Sequence, residues 1–305
     1  MKTIGITGGT GFVGQHLTKM LVAKGYEVLI FTRSVAVKSP APHVNYVHWD
    51  SDKGECDNNA LRSIDAIVHL AGAGIANKRW SADRKQKIVD SRVKVTDFLV
   101  AQLREHAKNC KVLVSASATG YYGADTNGKP FTEDDAPATD FLGDTCRQWE
   151  AATQKAEDAL RTVILRFGIV LGKEDGAFAK FALPMSFGIM PVLGKGTQVV
   201  SWIEADDLAG LVLHAIEKDN VSGIYNAVAP QPVTHRELMQ TIADTKGGIK
   251  IPVPVPAFML KTLVGEMSEE VLKSCTVSAN KILSTGFKFQ RPDIKKAVKA
   301  ILGKE

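Results

Sequence analysis

Gly8, Gly11 and Gly14 recur at every third residue of the run Thr7-Gly8-Gly9-Thr10-Gly11-Phe12-Val13-Gly14, a spacing suited to holding a pyrophosphate against bare backbone. Gly8 permits the tight turn, Gly11 lets the main chain approach the phosphates, and Gly14 lets the following helix pack closely on the strand. The N–H groups of Thr10, Gly11, Phe12 and Val13 then face the anion at the positive end of that helix. A glycine pattern alone is a weak signal. Here an apolar strand, Thr3 to Thr7, precedes it, and a helix with Val13, Leu17, Met20 and Leu21 on one face follows. The expected ligand is therefore a dinucleotide.

The end of the second strand, Val28 to Thr32, decides which one. An acidic residue there would bond the ribose 2′-hydroxyl and repel a 2′-phosphate. This chain has Thr32-Arg33-Ser34, and a guanidinium with a hydroxyl suits the phosphate, so NADP(H) is expected. The plainer reading of Arg33 is a solvated strand-end arginine. Asp50, after the third strand, either contacts adenine or caps a turn.

The elements that position these residues alternate. Strands at Val44 to Trp49, Ala66 to Leu70, Lys111 to Ser115 and Thr162 to Phe167 are separated by helical stretches. The clearest helix begins after Ser81 and carries Val89, Val93, Thr96, Val100 and Leu103 on one face. This rhythm predicts an α/β chain with a Rossmann-type doubly wound parallel sheet. Residues 1–172 read as the dinucleotide-binding domain. Residues 173–305, punctuated by prolines, read as a smaller α/β substrate-side region with a helical tail. Some later elements return to the first sheet, the candidates being a helix over Ala205 to Glu217 and a strand over Ile224 to Val228. Thr234 with Glu237 marks another helix start, and Gly303 ends the last helix.

Composition narrows the function classes. In 305 residues, 45% hydrophobic and 23% charged side chains exclude a disordered chain. The net charge of +5 is spread without a block of consecutive Lys/Arg, so neither a nucleic acid nor a membrane surface is an expected partner. Cys56, Cys110, Cys146 and Cys275 form no CxxC pair, and the histidines show no ligand spacing, so no disulfide framework and no metal site is expected. With no run of eighteen apolar residues, the chain reads as cytoplasmic.

Several motifs together carry a resemblance: the glycine run, His69-Leu70-Ala71-Gly72, the stretch Ser115 to Gly123, Leu165-Arg166 before Gly168, and Trp202 to Asp207. Along its whole length the chain resembles the extended short-chain dehydrogenase/reductases. Arg79-Trp80, Ser91-Arg92-Val93, Cys146 to Glu150, Gly265-Glu266-Met267 and Gly286 to Phe289 make it similar, more narrowly, to the YfcH-type "epimerase family protein" group. These are atypical members of the NAD-dependent epimerase/dehydratase superfamily. The resemblance implies a Rossmann-type core, NADP(H) binding with Leu70, Ala71, Gly72 and Ser115 beside the cofactor, and a homodimer. Arg166 is expected either at a phosphate or in an ion pair. Trp202 and the stretch Gly194 to Gln198 fall where related enzymes contact a sugar nucleotide, or else form a surface hairpin.

One departure outweighs the match. Typical members carry Tyr-x-x-x-Lys on the helix before the Leu-Arg strand, the Tyr as acid/base and the Lys depressing its pKa. Leu142 and Cys146 stand at those places, and Arg92 stands where an Asn is usual. Neither Leu142 nor Cys146 can replace the pair, and Cys146 reads as structural. Ser117 or Thr119 remains to bond a substrate oxygen, with Tyr121 or Tyr122 as a displaced acid. His69 reads as a hydrogen-bonded core residue. The leading expectation is an NADP(H)-binding oxidoreductase or epimerase-like enzyme on an unidentified small polar substrate. The alternative is a non-catalytic NADP(H) sensor or protein-interaction module.

Overall fold

In the computed structural model, residues 2–35, 41–126, 128–174 and 176–304 are described. The first half runs β1 (Thr3–Thr7), α1 (Phe12–Ala23), β2 (Glu27–Thr32), β3 (Val44–Asp50), β4 (Glu55–Cys56), α2 (Asn58–Ser63), β5 (Ala66–His69), α3 (Ala82–His106), β6 (Val112–Ala118), a 3-10 turn (Thr119–Tyr121), α4 (Phe141–Gln154) and β7 (Arg161–Phe167). It continues with β8 (Ile169–Leu171), α5 (Gly176–Met185), β9 (Ile189–Leu193), β10 (Val199–Val200), β11 (Trp202–Glu204), α6 (Ala205–Glu217), β12 (Gly223–Ala227), β13 (Val233–Thr234), α7 (His235–Lys246) and β14 (Ile251–Val255). The tail is α8 (Ala257–Val264), α9 (Met267–Leu272), α10 (Asn280–Ser284) and α11 (Ile294–Ile301).

The main sheet has the order β12-β7-β6-β5-β1-β2-β3-β4. All its pairings are parallel except β3 with β4. The chain reverses its direction of travel across the sheet between β1 and β5. That is the switch point at which open α/β sheets leave a crevice beyond their carboxyl ends.

Strand alternation divides β1 between the two faces. Ile4 and Ile6 join Leu17 and Leu21 of α1 and Leu208 and Val212 of α6 in one core. On the other face Phe31, Ile67 and Leu113 pack with Leu61 of α2 and Leu99 and Leu103 of α3. Burial on α3 falls on Ile88, Thr96, Leu99, Val100 and Leu103: the expected Thr96, Val100 and Leu103 are there, whereas Val89 and Val93 are half-buried and Ile88 and Leu99 take their place. β6 runs three residues beyond Ser115, because Ala116 to Ala118 stay paired with β7.

The elements after β8 divide their allegiance. α6 and β12 belong to the main core, whereas Trp202, Met190, Leu238, Met239, Ile294 and Val298 form a second cluster under α5, α7 and α11. Thr234 caps α7 by accepting a bond from the Glu237 N–H at 3.1 Å. β14 pairs only with β9 and carries Pro252 and Pro254, as an edge strand can. No helix among the described residues is long and apolar enough to cross a membrane.

His235 is buried in the second core, its ring edge-on to Phe181 at 5.5 Å, and neither ring nitrogen has a partner among the described residues. Burial, with the charge of Arg236 adding, pushes its pKa down to about 4. An unfolded histidine binds its proton near 6.5, so between those values the unfolded chain holds more protons and stability falls as pH falls. Acidification through this window is expected to remove up to about 3 kcal/mol through this residue. Urea unfolding near pH 7 and near pH 4 checks this: His235→Phe should lose correspondingly less than wild type, and equal losses would contradict it.

Candidate cofactor and substrate site

A cleft of about 1030 Å³ opens at the switch point. Gly8, Thr10 and Gly11 form its floor, Leu70, Ala71 and Gly72 one wall, and Arg33, Trp49 and Asp52 the far end. Gln86, Lys87, Asp90, Ser91 and Lys94 of α3 close the side. Of these α3 residues only Ser91 belongs to a motif marked in the sequence, Ser91-Arg92-Val93; the others lie on a helix's solvent face, which carries no local mark of what faces it.

Gly8 has φ +72°, and a Cβ there would fall 2.7 Å from the Leu70 carbonyl. A Cβ on Gly14 would sit 2.5 Å from the Cα of Gly9. Both positions need glycine, for conformation at one and closeness at the other. α1 begins at Phe12 with Gly11 as its cap, so no side chain satisfies the first-turn N–H groups, and no acidic residue lies in that turn. The Val13 and Phe12 amides are thus left to an incoming anion. The cradle and the uncapped helix fit a pyrophosphate.

Arg33 extends at the cleft's far end, mostly exposed, with its Nη1 3.7 Å from the Asp52 carboxylate. Such an exposed pair is weak and leaves the guanidinium available. Ser34 is exposed beside it, its N–H donating to Thr32 Oγ1 at 3.3 Å. Asp50 does not line the cleft: its carboxylate accepts from the Asp52 N–H at 3.1 Å and its carbonyl from the Lys53 N–H at 3.2 Å, so it closes a turn.

The expected cofactor and catalytic residues on β6, β7 and α4 divide sharply by what their side chains already do. Arg166 is buried and donates to both Glu150 oxygens at 2.8 Å, and to the Tyr122 hydroxyl at 2.7 Å. Burial alone would lower its pKa, but Glu150 more than reverses this and holds it above the usual arginine range. Of the two places expected for Arg166, at a phosphate or in an ion pair, the structure has the buried ion pair. Ser117 donates to Glu150 Oε1 at 2.6 Å and is 2% exposed. Tyr122 donates to Asn226 Oδ1 at 2.6 Å, stacks on Phe131, and is pushed by burial well above the usual phenol range, with Arg166 offsetting part. Ser115 is fully buried against Ala116 and Thr153. These hydroxyls are committed within the molecule, which corrects the substrate-facing and cofactor-facing roles expected of them.

Thr119 and Tyr121, in the 3-10 turn beyond β6, are half-buried, and neither side-chain hydroxyl has a hydrogen-bond partner among the described residues. The Tyr121 ring lies over Arg166, whose Cζ is 3.5 Å from its centroid. The β5–β6 register ends where His69 pairs with Ser115, next to Leu70 of the cleft wall, and Thr119 and Tyr121 are not themselves among the residues that line the cleft. On α4, Leu142 packs against Gly120, where a Cβ would be 3.3 Å away. Cys146 is buried, its thiol pushed up to about 12 by burial and by Glu150. His69 bonds Thr7 at 2.6 Å and Thr96 at 2.9 Å, and burial lowers its pKa to about 4. Trp202 is fully buried with its indole N–H on the Gln231 carbonyl, so it presents nothing to a ligand.

A model of the NAD dependent epimerase/dehydratase family matches residues 4–227, and a model of a domain of unknown function, DUF1731, matches residues 255–301. The Bacillus subtilis protein named epimerase family protein YfhF is 37% identical over 301 residues, covering 98% of this chain and 97% of its own. The crystal structure of human epimerase family protein SDR39U1 (isoform 2) with NADPH superposes with a TM-score of 0.87 at 30% identity, covering 99% of this chain and 100% of that one. The UDP-N-acetylglucosamine 4-epimerase of Bacillus cereus superposes at TM-score 0.78 with 22% identity, over 99% of this chain and 95% of that one, a likeness of fold.

Glu150 neutralises Arg166 where both are almost fully buried. Glu150→Gln should therefore cost about 3–5 kcal/mol by stranding the guanidinium. Denaturant unfolding measures this, and a variant as stable as wild type would show the pair to be dispensable.

Proposed function

The chain belongs to the NAD dependent epimerase/dehydratase family, and on that premise we propose that it binds NADP(H) and acts as an oxidoreductase or epimerase-like enzyme on a small polar substrate. The observation that carries this is the coincidence, in one cleft, of an uncapped helix N-terminus, the glycine cradle and an arginine at the end of β2. The NADPH in the human SDR39U1 structure supports it.

The α1 amides hold the pyrophosphate, Arg33 with Ser34 the 2′-phosphate, and Leu70 to Gly72 the wall on which the cofactor lies. The bound cofactor supplies hydride exchange at its nicotinamide ring. Thr119 donates its hydroxyl hydrogen bond to the substrate oxygen, and the Tyr121 phenol exchanges the proton. What supports both roles is that neither hydroxyl has a hydrogen-bond partner among the described residues. Ser117, Glu150, Arg166 and Tyr122 form a fixed support beneath them: Arg166, locked by Glu150, holds the face of Tyr121.

A second reading has its own observation. Leu142 and Cys146 occupy the places of the usual acid/base pair, one apolar and one buried with its thiol pushed up to about 12. On this reading NADP(H) orders a module without turnover. The two readings separate in one assay, in which purified protein receives NADPH and a panel of aldehydes, ketones and nucleotide sugars. Turnover that falls roughly 100-fold in Tyr121→Phe or Thr119→Val, with NADPH affinity retained, supports the enzyme. NADPH-dependent thermal stabilisation without consumption across the panel supports the module.

Arg33→Ala tests the choice of cofactor. Losing charge-assisted bonds to a phosphate is expected to weaken NADPH binding roughly 10- to 100-fold while leaving NADH binding nearly unchanged. Titration by fluorescence checks this, and parallel losses for both nucleotides would contradict the assignment of Arg33 to the 2′-phosphate.

A further inference from the structure

Two half-buried arginines on α3, Arg84 and Arg92, have no carboxylate partner among the described residues. Arg92 donates through Nη1 to the carbonyls of Ala73 and Ile88, both at 3.1 Å. Arg84 donates to the next carbonyl along, Gly74. Neither arginine has an ion pair among the described residues. The two guanidinium groups are thus held at successive peptide groups of the loop after β5, whose α-carbons are about 3.8 Å apart. Each feels the other's charge, and burial together with Arg84 disfavours the charged form of Arg92 more than its surroundings restore it.

Neutral carbonyls do not discharge this accumulation. Cations withdrawn from water ordinarily come with a counter-charge. Donors are also left over. Arg84 Nε is buried without an acceptor, and so is Nε1 of Trp149, over whose ring Arg92 lies at 5.1 Å. Acceptors, and one negative charge, are what the cluster lacks.

Its place gives that charge a meaning. The Arg92 guanidinium lies against Gly72, a wall of the cleft, at 3.4 Å from where a Cβ would be. Cys146 also lies near it, and Cys146 neighbours Ser117 at the end of β6. The loop is pinned as well, because Ser91 Oγ accepts the Ala73 N–H at 3.0 Å. Arg92 therefore stands directly against the cleft wall at Gly72, with Arg84 beside it at the next peptide of the same loop.

We propose that Arg84 and Arg92 form an oxyanion subsite that takes the carboxylate of the substrate, making the substrate class a small carbonyl or hydroxy acid. Planar guanidinium forks match the two coplanar oxygens of a carboxylate. The inference rests on the reading of the cleft as an NADP(H)-dependent reaction site.

The test uses full-length protein and oxalate as the planar probe, titrated calorimetrically with and without saturating NADPH at about 0.15 M chloride, where non-specific attraction is screened. Inorganic phosphate is run in parallel. Saturable oxalate binding that weakens at least tenfold in Arg92→Met and in Arg84→Met, with NADPH affinity within threefold of wild type, supports the subsite. Arg92→Lys, which keeps the charge and loses the fork, should weaken oxalate severalfold and guards against a methionine variant that does not fold. Oxalate binding unaltered in the folded variants, or no saturable binding in wild type, overturns the proposal. Phosphate binding tighter than oxalate and equally dependent on both arginines overturns the carboxylate assignment. If NADPH does not bind while oxalate does, the cofactor reading fails and the anion site stands; NADPH binding with oxalate inert gives the reverse.

Discussion

Everything functional in this molecule hangs on the closeness of two backbone segments, the turn after β1 and the end of β5. Gly8 lies where even a methyl group would meet the Leu70 carbonyl. That contact fixes the crevice between adjacent parallel strands, leads the chain into α1 with its first amides unsatisfied, and sets Leu70 to Gly72 as the opposing wall. Because α1 is held from behind by α6, its N-terminus is an immobile partial charge. The cleft is ready for an anion before any anion arrives.

The neighbouring region inverts the usual economy of such sites. The buried polar network of Ser117, Glu150, Arg166 and Tyr122 is saturated, each group bonded to another of the set. A saturated network is rigid, and groups within it cannot turn to a ligand without losing those bonds. On the proposed reading, reactivity falls to what the network excludes: Thr119 and Tyr121, and the arginines of α3. Leu142 sits in apolar packing on Gly120, so the chemistry lost with the usual tyrosine is not restored on the same helix.

How much was legible in the sequence follows from the range of the interactions involved. β1, the glycine turn, α1 and β2 were readable because each is specified within a few residues: alternation, close-packing glycines and a one-sided apolar stripe. His69 was readable as a core residue from its strand-end position. The side-chain commitments were not, since Ser117 meets Glu150 across 33 residues and Tyr122 meets Asn226 across 104. No local pattern announces such partners, so Arg166, Ser117 and Tyr122 remained ambiguous until their neighbours were placed. The partial shift of the α3 face has the same origin: a stripe through Val89 and Val93 is periodic enough, but packing against Leu61 of α2 and the sheet takes Leu99 with the expected Val100 and Leu103.

The most direct test of the account is calorimetry on protein stripped of bound nucleotide, comparing wild type with Gly8→Ala. The account predicts one saturable site for NADPH, weaker binding of NADH, and no measurable heat from either in a folded Gly8→Ala variant. Absence of binding by either nucleotide to wild type, or undiminished NADPH binding by the variant, would contradict it.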